Sequence, residues 1–152
     1  MWLRITVVVS ALLLAGCDPS YGVESRATLA GPVDVRCVNA ALRSVPDVGR
    51  VTYQRSESRS TELLPKQRKV VTVMHVWLYG ESGNDILQIN QTPDGSDYRN
   101  ARTRMGVAVP HYEMARFQQL MLKVNRAAEL RCGLPVGNLK AQPVGETKPQ
   151  EL

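Results

Sequence analysis

The chain predicts an α+β fold: a two-layer sandwich in which an antiparallel sheet of three to four strands carries two helices on one face, in the order α-β-β-β-(β)-α. Three observations carry this. Apolar residues recur at spacings of three and four after Pro32 and again after Pro110. The stretch between them alternates at period two and is rich in β-branched residues. One cysteine falls in each helical stretch, Cys37 and Cys132, so a single bridge would tie the first helix to the last. At 152 residues the chain suits one core rather than two.

Residues 18–31 (DPSYGVESRATLAG) have few apolar side chains and no sustained period, and they read as a tether. Pro32 suits a first helical position, and Val38, Ala41, Leu42 and Val45 follow on one stripe, which predicts a helix over 33–44 with Cys37 at its core edge. Pro46-Asp47-Val48-Gly49 ends it. Val51, Tyr53 and Arg55 alternate with Thr52 and Gln54, a half-exposed strand over 50–56, and polar residues 57–68, with Pro65, read as a long connection. Residues 69–79 (KVVTVMHVWLY) form the strongest strand, uninterrupted by Gly or Pro. Both of its rows are largely apolar, which places it at the sheet centre. Its row Met74, Val76, Leu78 is expected to meet Phe117, Met121 and Val124, which leaves the other row on an open face.

Gly80–Asn84 tolerates positive φ and predicts a hairpin into a strand over 85–91 around Ile86, Leu87 and Ile89. After the turn cluster TPDGSD, residues 98–109 are either a fourth strand around Thr103, Met105, Val107 and Val109 or irregular. Pro110 opens the clearest helix, with Met114, Phe117, Met121, Val124 and Ala128 on one stripe and Gly133 and Pro135 as its stop. Residues 136–152 are polar, contain Pro143 and Pro149, and read as a disordered tail.

The start of the chain is an address. Arg4 precedes an apolar run from Ile5 to Leu14 that is too short to stay as a membrane span, and the run ends in Leu14-Ala15-Gly16-Cys17. Those four residues resemble the lipobox of bacterial lipoproteins, a resemblance confined to the first seventeen residues. It implies that residues 1–16 are a signal peptide cut before Cys17, whose thiol carries a diacylglycerol and whose new amine is usually acylated. Residues 17–31 are then a lipidated tether, 32–135 the globular domain and 136–152 the tail. Asp18 matches the retention signal of enteric lipoproteins and favours the inner over the outer membrane, though other Gram-negative groups read other positions.

Export also accounts for the remaining cysteines. In an oxidising compartment Cys37 and Cys132 are expected to bond to each other rather than stay as two buried thiols. Closing so long a loop restricts the unfolded chain by about 4 to 5 kcal/mol on the chain-entropy model. The net charge, +5 from 19 basic and 14 acidic residues, is mild, and one unit of it leaves with Arg4. A nucleic-acid binder concentrates a larger excess on one face, so nucleic acid is not an expected partner.

Catalytic chemistry is poorly supplied. His75 and His111 belong to no H-E-x-x-H, to no G-x-S-x-G elbow and to no pair with a free thiol, so no catalytic residue, metal or cofactor is expected. His111 and Glu113 are an i, i+2 pair that points apart, and the acid suits the helix dipole. Asp94, Ser96 and Asp97 around Gly95 lack the distant bidentate Glu of a calcium loop and read as a turn. The row His75, Trp77, Tyr79 is either a flat aromatic surface for a sugar ring or a protein partner, enlarged by Tyr53, or simply core if that face is covered. Two basic groups, Lys66, Arg68 and Lys69 and then Arg99, Arg102 and Arg104, suit lipid phosphates, an anionic wall polymer or an acidic protein, or are ordinary solvated charges.

These readings converge on a non-enzymatic, membrane-anchored module on the periplasmic side of a Gram-negative envelope that binds a protein or envelope component. In size, anchor and single disulfide it resembles secretion accessory lipoproteins and immunity or inhibitor lipoproteins. The competing class is a cell-wall-directed enzyme or small-ligand carrier, which needs a pocket with convergent polar groups.

Overall fold

The computed structural model describes residues 20–62, 67–106 and 109–145. The lipobox with Cys17, and Lys66 in the first basic group, lie outside the described residues. Among the described residues the chain is α+β with one disulfide, as expected, but the sheet has six strands rather than three or four. The order is β1 (Ser20–Leu29), α1 (Val35–Arg43), β2 (Thr52–Glu62), β3 (Arg68–Tyr79), β4 (Asp85–Thr92), β5 (Gly95–Met105), α2 (His111–Cys132) and β6 (Gln142–Val144). All neighbours are antiparallel, and the spatial order is β2-β3-β4-β5-β1-β6.

Both added strands lie where the sequence reads as tether and tail. The expected tether is β1, which pairs along its whole length with β5 from Ser20 opposite Met105 to Leu29 opposite Ser96. Its inward row is Val23, Ser25, Ala27 and Leu29, and the small or polar members of that row hide its period-two pattern. The expected tail folds back as well: Val136 is fully buried, Leu139 and Ala141 pack on the core, and β6 pairs with Gly22–Glu24. Only its end, 146–152, lies outside the described residues.

Local chemistry sets the helix ends. The Asp34 carboxylate accepts from the backbone N–H of Arg36 at 2.9 Å and of Cys37 at 3.2 Å, so α1 starts behind Asp34 rather than at Pro32. Gly133 closes α2 in the left-handed region at φ 69°, and its N–H donates to the carbonyl of Glu129. The helices lie side by side and are joined by the Cys37–Cys132 disulfide, with Cα atoms 5.8 Å apart.

They cover the opposite face of β3 from the one expected. Directly opposed residues of an antiparallel ladder project to the same side, so the registers place His75, Trp77 and Tyr79 in one layer with Leu87 and Ile89 of β4, Tyr98 and Asn100 of β5, and Ser25 of β1. Trp77 and Tyr79 are fully buried in that layer, and the Trp77 indole N–H donates to Asn39 of α1 at 3.2 Å. The row therefore belongs to the core, and Met74, Val76 and Leu78 face outward, half-buried. Alternation identified two rows and could not rank them, because both are apolar. The indole N–H needs a polar partner when it is buried, and α1 supplies one.

β2 also departs from expectation. Residues 57–62 continue the strand instead of forming a loop, in unbroken register with β3 from Thr52 opposite Leu78 to Glu62 opposite Arg68. β4 reaches only as far as Val73 of β3, so the far ends of β2 and β3 project past it as a two-stranded arm. β3 is consequently the second strand of the sheet, not its centre.

Candidate functional site

Three features organise the molecule. The first is a buried network between the layers. Asn125 of α2 accepts from the Tyr98 hydroxyl at 2.7 Å and from Asn100 Nδ2 at 3.1 Å, and it donates to Ser25 Oγ at 3.1 Å. Asn100 in turn accepts from the Tyr79 hydroxyl at 2.5 Å. Burial pushes both phenols above their ordinary range, so they stay neutral donors. Sequence reading missed this network because Asn125 sits within an otherwise apolar stripe and Ser25 in the supposed tether.

The second feature is a cleft of about 450 Å³ beside the start of α2. Its lining carries a row of alternating charges: Asp85 accepts from Arg102 at 2.6 Å and Arg102 reaches Glu113 at 2.9 Å, and Arg104, outside the lining, reaches the same Glu113 at 2.9 Å. Gly80 makes room for this row, since a Cβ there would stand 2.1 Å from Asp85 Oδ2, and its φ of 83° suits glycine alone. Burial holds the Asp85 carboxyl above its usual range although Arg102 pulls it down, and the hydrogen bond from Arg102 holds Glu113 below. Tyr112 stands 73 % exposed at the rim, and ion pairs Arg116–Glu81 and Lys123–Asp47 close the sides.

The arginines of the expected anion-contact group meet carboxylates of this chain. Arg102 and Arg104 are held by Glu113 and Asp85, Arg99 is held by Glu24 at 2.7 Å, and Arg68 pairs with Asp94. Lys69 is exposed on the arm. The arginines gather around carboxylates of this chain because β5 places Arg102 and Arg104 on the helix side, where Asp85 and Glu113 converge, and Arg99 on the other. A charge run read along the sequence hides partners that come from other strands.

The third feature is the face of the sheet opposite the helices. Met74, Val76 and Leu78 of β3 and Ile86 of β4 stand half-buried there, with no second layer over them among the described residues. Beside this apolar patch a shallow groove of about 490 Å³ runs over β4, β5 and β1, lined by Arg26, Thr28, Gln88, Asn90, Asp97 and Arg99. Glu24 sits at its edge between Arg26 and Arg99, and the two guanidinium groups hold its carboxyl low against the opposing effect of burial.

The remaining candidates are structural or peripheral. His75 is 6 % exposed, stacks near Trp77 and has the Tyr53 hydroxyl 2.8 Å from its Nδ1, and burial pulls its pKa down. His111 is exposed at the first residue of α2. Around the turn at Asp94–Asp97, Ser96 donates to the Gly31 carbonyl at 2.8 Å and Asp97 accepts from Thr28 at 3.2 Å, so both tie β5 to β1 and its continuation. Among the described residues no group of three or more His, Cys, Asp or Glu is placed to hold a metal ion, and no helix is long and apolar enough to cross a membrane. Compared with known proteins, the chain matches no family model, no curated protein and no solved structure.

Proposed function

We propose that this chain is a lipid-anchored, non-enzymatic binding module on the periplasmic side of a Gram-negative envelope, of the secretion-accessory or immunity type, and that its open sheet face receives a protein or envelope partner. The observation that carries the reading is the uncovered row Met74, Val76, Leu78 and Ile86 beside a polar groove. A layered fold ordinarily buries both apolar faces of a sheet, and an apolar patch with a polar border is the usual make-up of a protein-docking surface. The lipobox supports the anchor at Cys17, with the inner membrane favoured by Asp18, and the Cys37–Cys132 disulfide agrees with an oxidising compartment.

Two measurements test it. Radiolabelled palmitate should enter the wild-type chain and not Cys17→Ser, and globomycin should block maturation; an unlabelled chain with Met1 intact overturns the anchor. A photo-crosslinking residue at Val76 should then capture one defined envelope species that the same residue at Leu122, on the outer side of α2, does not. Equal capture at both positions overturns the docking face.

The charged cleft favours a second reading, a cell-wall-directed enzyme or small-ligand carrier. Its buried Asp85, with Arg102 and Glu113 beside it, supplies convergent polar groups of the kind such a site needs. Chemical-shift changes at Arg102 and Tyr112 on adding soluble muropeptides would support it.

A further inference from the structure

We propose that two copies of this chain pair edge to edge through β2, antiparallel and centred on Ser56, which joins their sheets into one. This stands apart from the open-face reading, because the free edge and the open face are different surfaces.

β2 is an unusual edge. It is eleven residues long, every one of them exposed, and among the described residues its strand partner is β3 alone. Sheet edges are normally guarded by shortness, a bulge or a proline, and β2 has none of these: its register with β3 is unbroken and its sequence is TYQRSESRSTE. By contrast the other edge, β6, is three residues long and carries Pro143. The remaining guard on β2 is charge, and that charge is self-complementary in one register.

Tyr53, Arg55, Glu57 and Arg59 lie on one side of β2, and within one chain Glu57 already sits between Arg55 at 3.3 Å and Arg59 at 3.2 Å. Centring an antiparallel pair on Ser56 places Arg55 opposite Glu57 of the second copy and Tyr53 opposite its Arg59, and the two-fold repeats both contacts. Arg55 and Glu57 then each have opposite charge along their own strand and across the joint, and each Tyr53 ring meets the Arg59 guanidinium of the other copy. On the reverse side Ser56 meets Ser56, Gln54 meets Ser58 and Thr52 meets Ser60, small polar pairs that pack flat. Centring on Glu57 instead sets Glu57 against Glu57 and Arg55 against Arg59, and centring on Arg55 sets Arg55 against itself. The occupant that fits this edge is therefore a second copy, joined by a two-fold, isologous contact.

The test uses the full-length chain in detergent micelles. Ser56→Cys should form a disulfide-linked dimer under mild oxidation well above the wild-type background, because self-paired residues of an antiparallel joint have Cα atoms about 4.5 to 5.5 Å apart. Ser58→Cys should not, since its counterpart lies four residues along the joint, about 13 Å away. Glu57→Lys, which makes the row uniformly basic, should weaken self-association at least tenfold by dilution of fluorescently labelled protein, with the far-ultraviolet spectrum confirming the fold. Absence of the Ser56 crosslink, or unchanged association of Glu57→Lys, overturns the pairing; crosslinking that peaks at Ser58→Cys overturns the register.

Discussion

Replacing Asn125 by Leu keeps nearly the same volume between the layers and removes every polar atom at the hub of the buried network. The Tyr98 hydroxyl and Asn100 Nδ2 lose their acceptor, and Ser25 Oγ loses its donor. All three partners are at most 1 % exposed, so water cannot take the place of the lost bonds. Two stranded donors at about 1 to 3 kcal/mol each give an expected loss of about 4 kcal/mol, and Ser25, whose hydroxyl can turn elsewhere, adds little. That is a large part of the stability of a domain this size. Urea unfolding followed by Trp77 fluorescence reads it out: with a slope of about 1.5 kcal/mol per molar, the midpoint should fall by about 2 to 3 M. Ser25→Ala should cost about 1 kcal/mol, and the double variant should cost less than the sum, because both changes break one bond. A loss below about 1 kcal/mol for Asn125→Leu would refute a dry, mutually satisfied network.

Three further outcomes are expected. Replacing Cys37 and Cys132 by Ala should cost about 4 to 5 kcal/mol, since the bridge closes a separation of 95 residues; an unfolding midpoint insensitive to reductant would contradict this. Trp77→Ala should cost about 3 to 5 kcal/mol while the folded fraction still captures the partner; loss of capture with stability intact would return the His75-Trp77-Tyr79 row to a binding role. Burial holds the folded-state pKa of His75 below the value of about 6.5 expected for a free histidine, so the unfolded chain takes up this proton first as the pH falls. Stability contributed by neutral His75 is thus fully present above about pH 6.5 and is lost as the pH drops from there toward the folded pKa, a slope that His75→Gln should flatten and that an equal slope in both proteins would disprove.

The two helices, the disulfide and the strands at β3 and β4 were legible because each rests on a signal within a few residues: an apolar stripe, a cysteine in each helix, a β-branched run. β1 and β6 were not, because their pairing is non-local, the inward row of β1 holds Ser25 and Ala27 beside Val23, and β6 is only three residues long, so they do not read as apolar alternation. The choice of face on β3 was equally illegible, since both of its rows are apolar and the acceptor for the Trp77 indole, Asn39, lies on α1. The arginines are legible as a group but their carboxylate partners are not: Glu24, Asp85 and Glu113 lie on β1, β4 and α2 and meet them only in the folded sheet.

The proposed anchor and the proposed pairing together constrain how the molecule stands on a bilayer. β1 starts at Ser20, three residues after Cys17, so an acylated Cys17 would hold the sheet within about 10 Å of the membrane. β1, β2 and β4 run in one direction, and the registers align Glu24, Ala101, Ile86, Leu78 and Thr52 in a single row. A lone copy can therefore stand with its β2–β3 arm pointing away from the lipid. Two copies joined antiparallel at Ser56 have their first strands leaving from opposite ends, and both anchors reach one bilayer only if the joined sheet lies along it. The two-fold is then normal to the membrane, and both copies turn the same face toward it. For the open face to receive a partner in that state, the helix layer must be the lipid-facing side, where α2 exposes Leu122 and Leu130 with Arg126 and Arg131 beside them. A fluorophore at Leu122 should then be quenched by lipid-borne quenchers in the wild type and released in Glu57→Lys, whereas one at Val76 should stay unquenched in the paired form. Quenching at Val76 instead would mean that pairing and partner binding at the open face exclude each other.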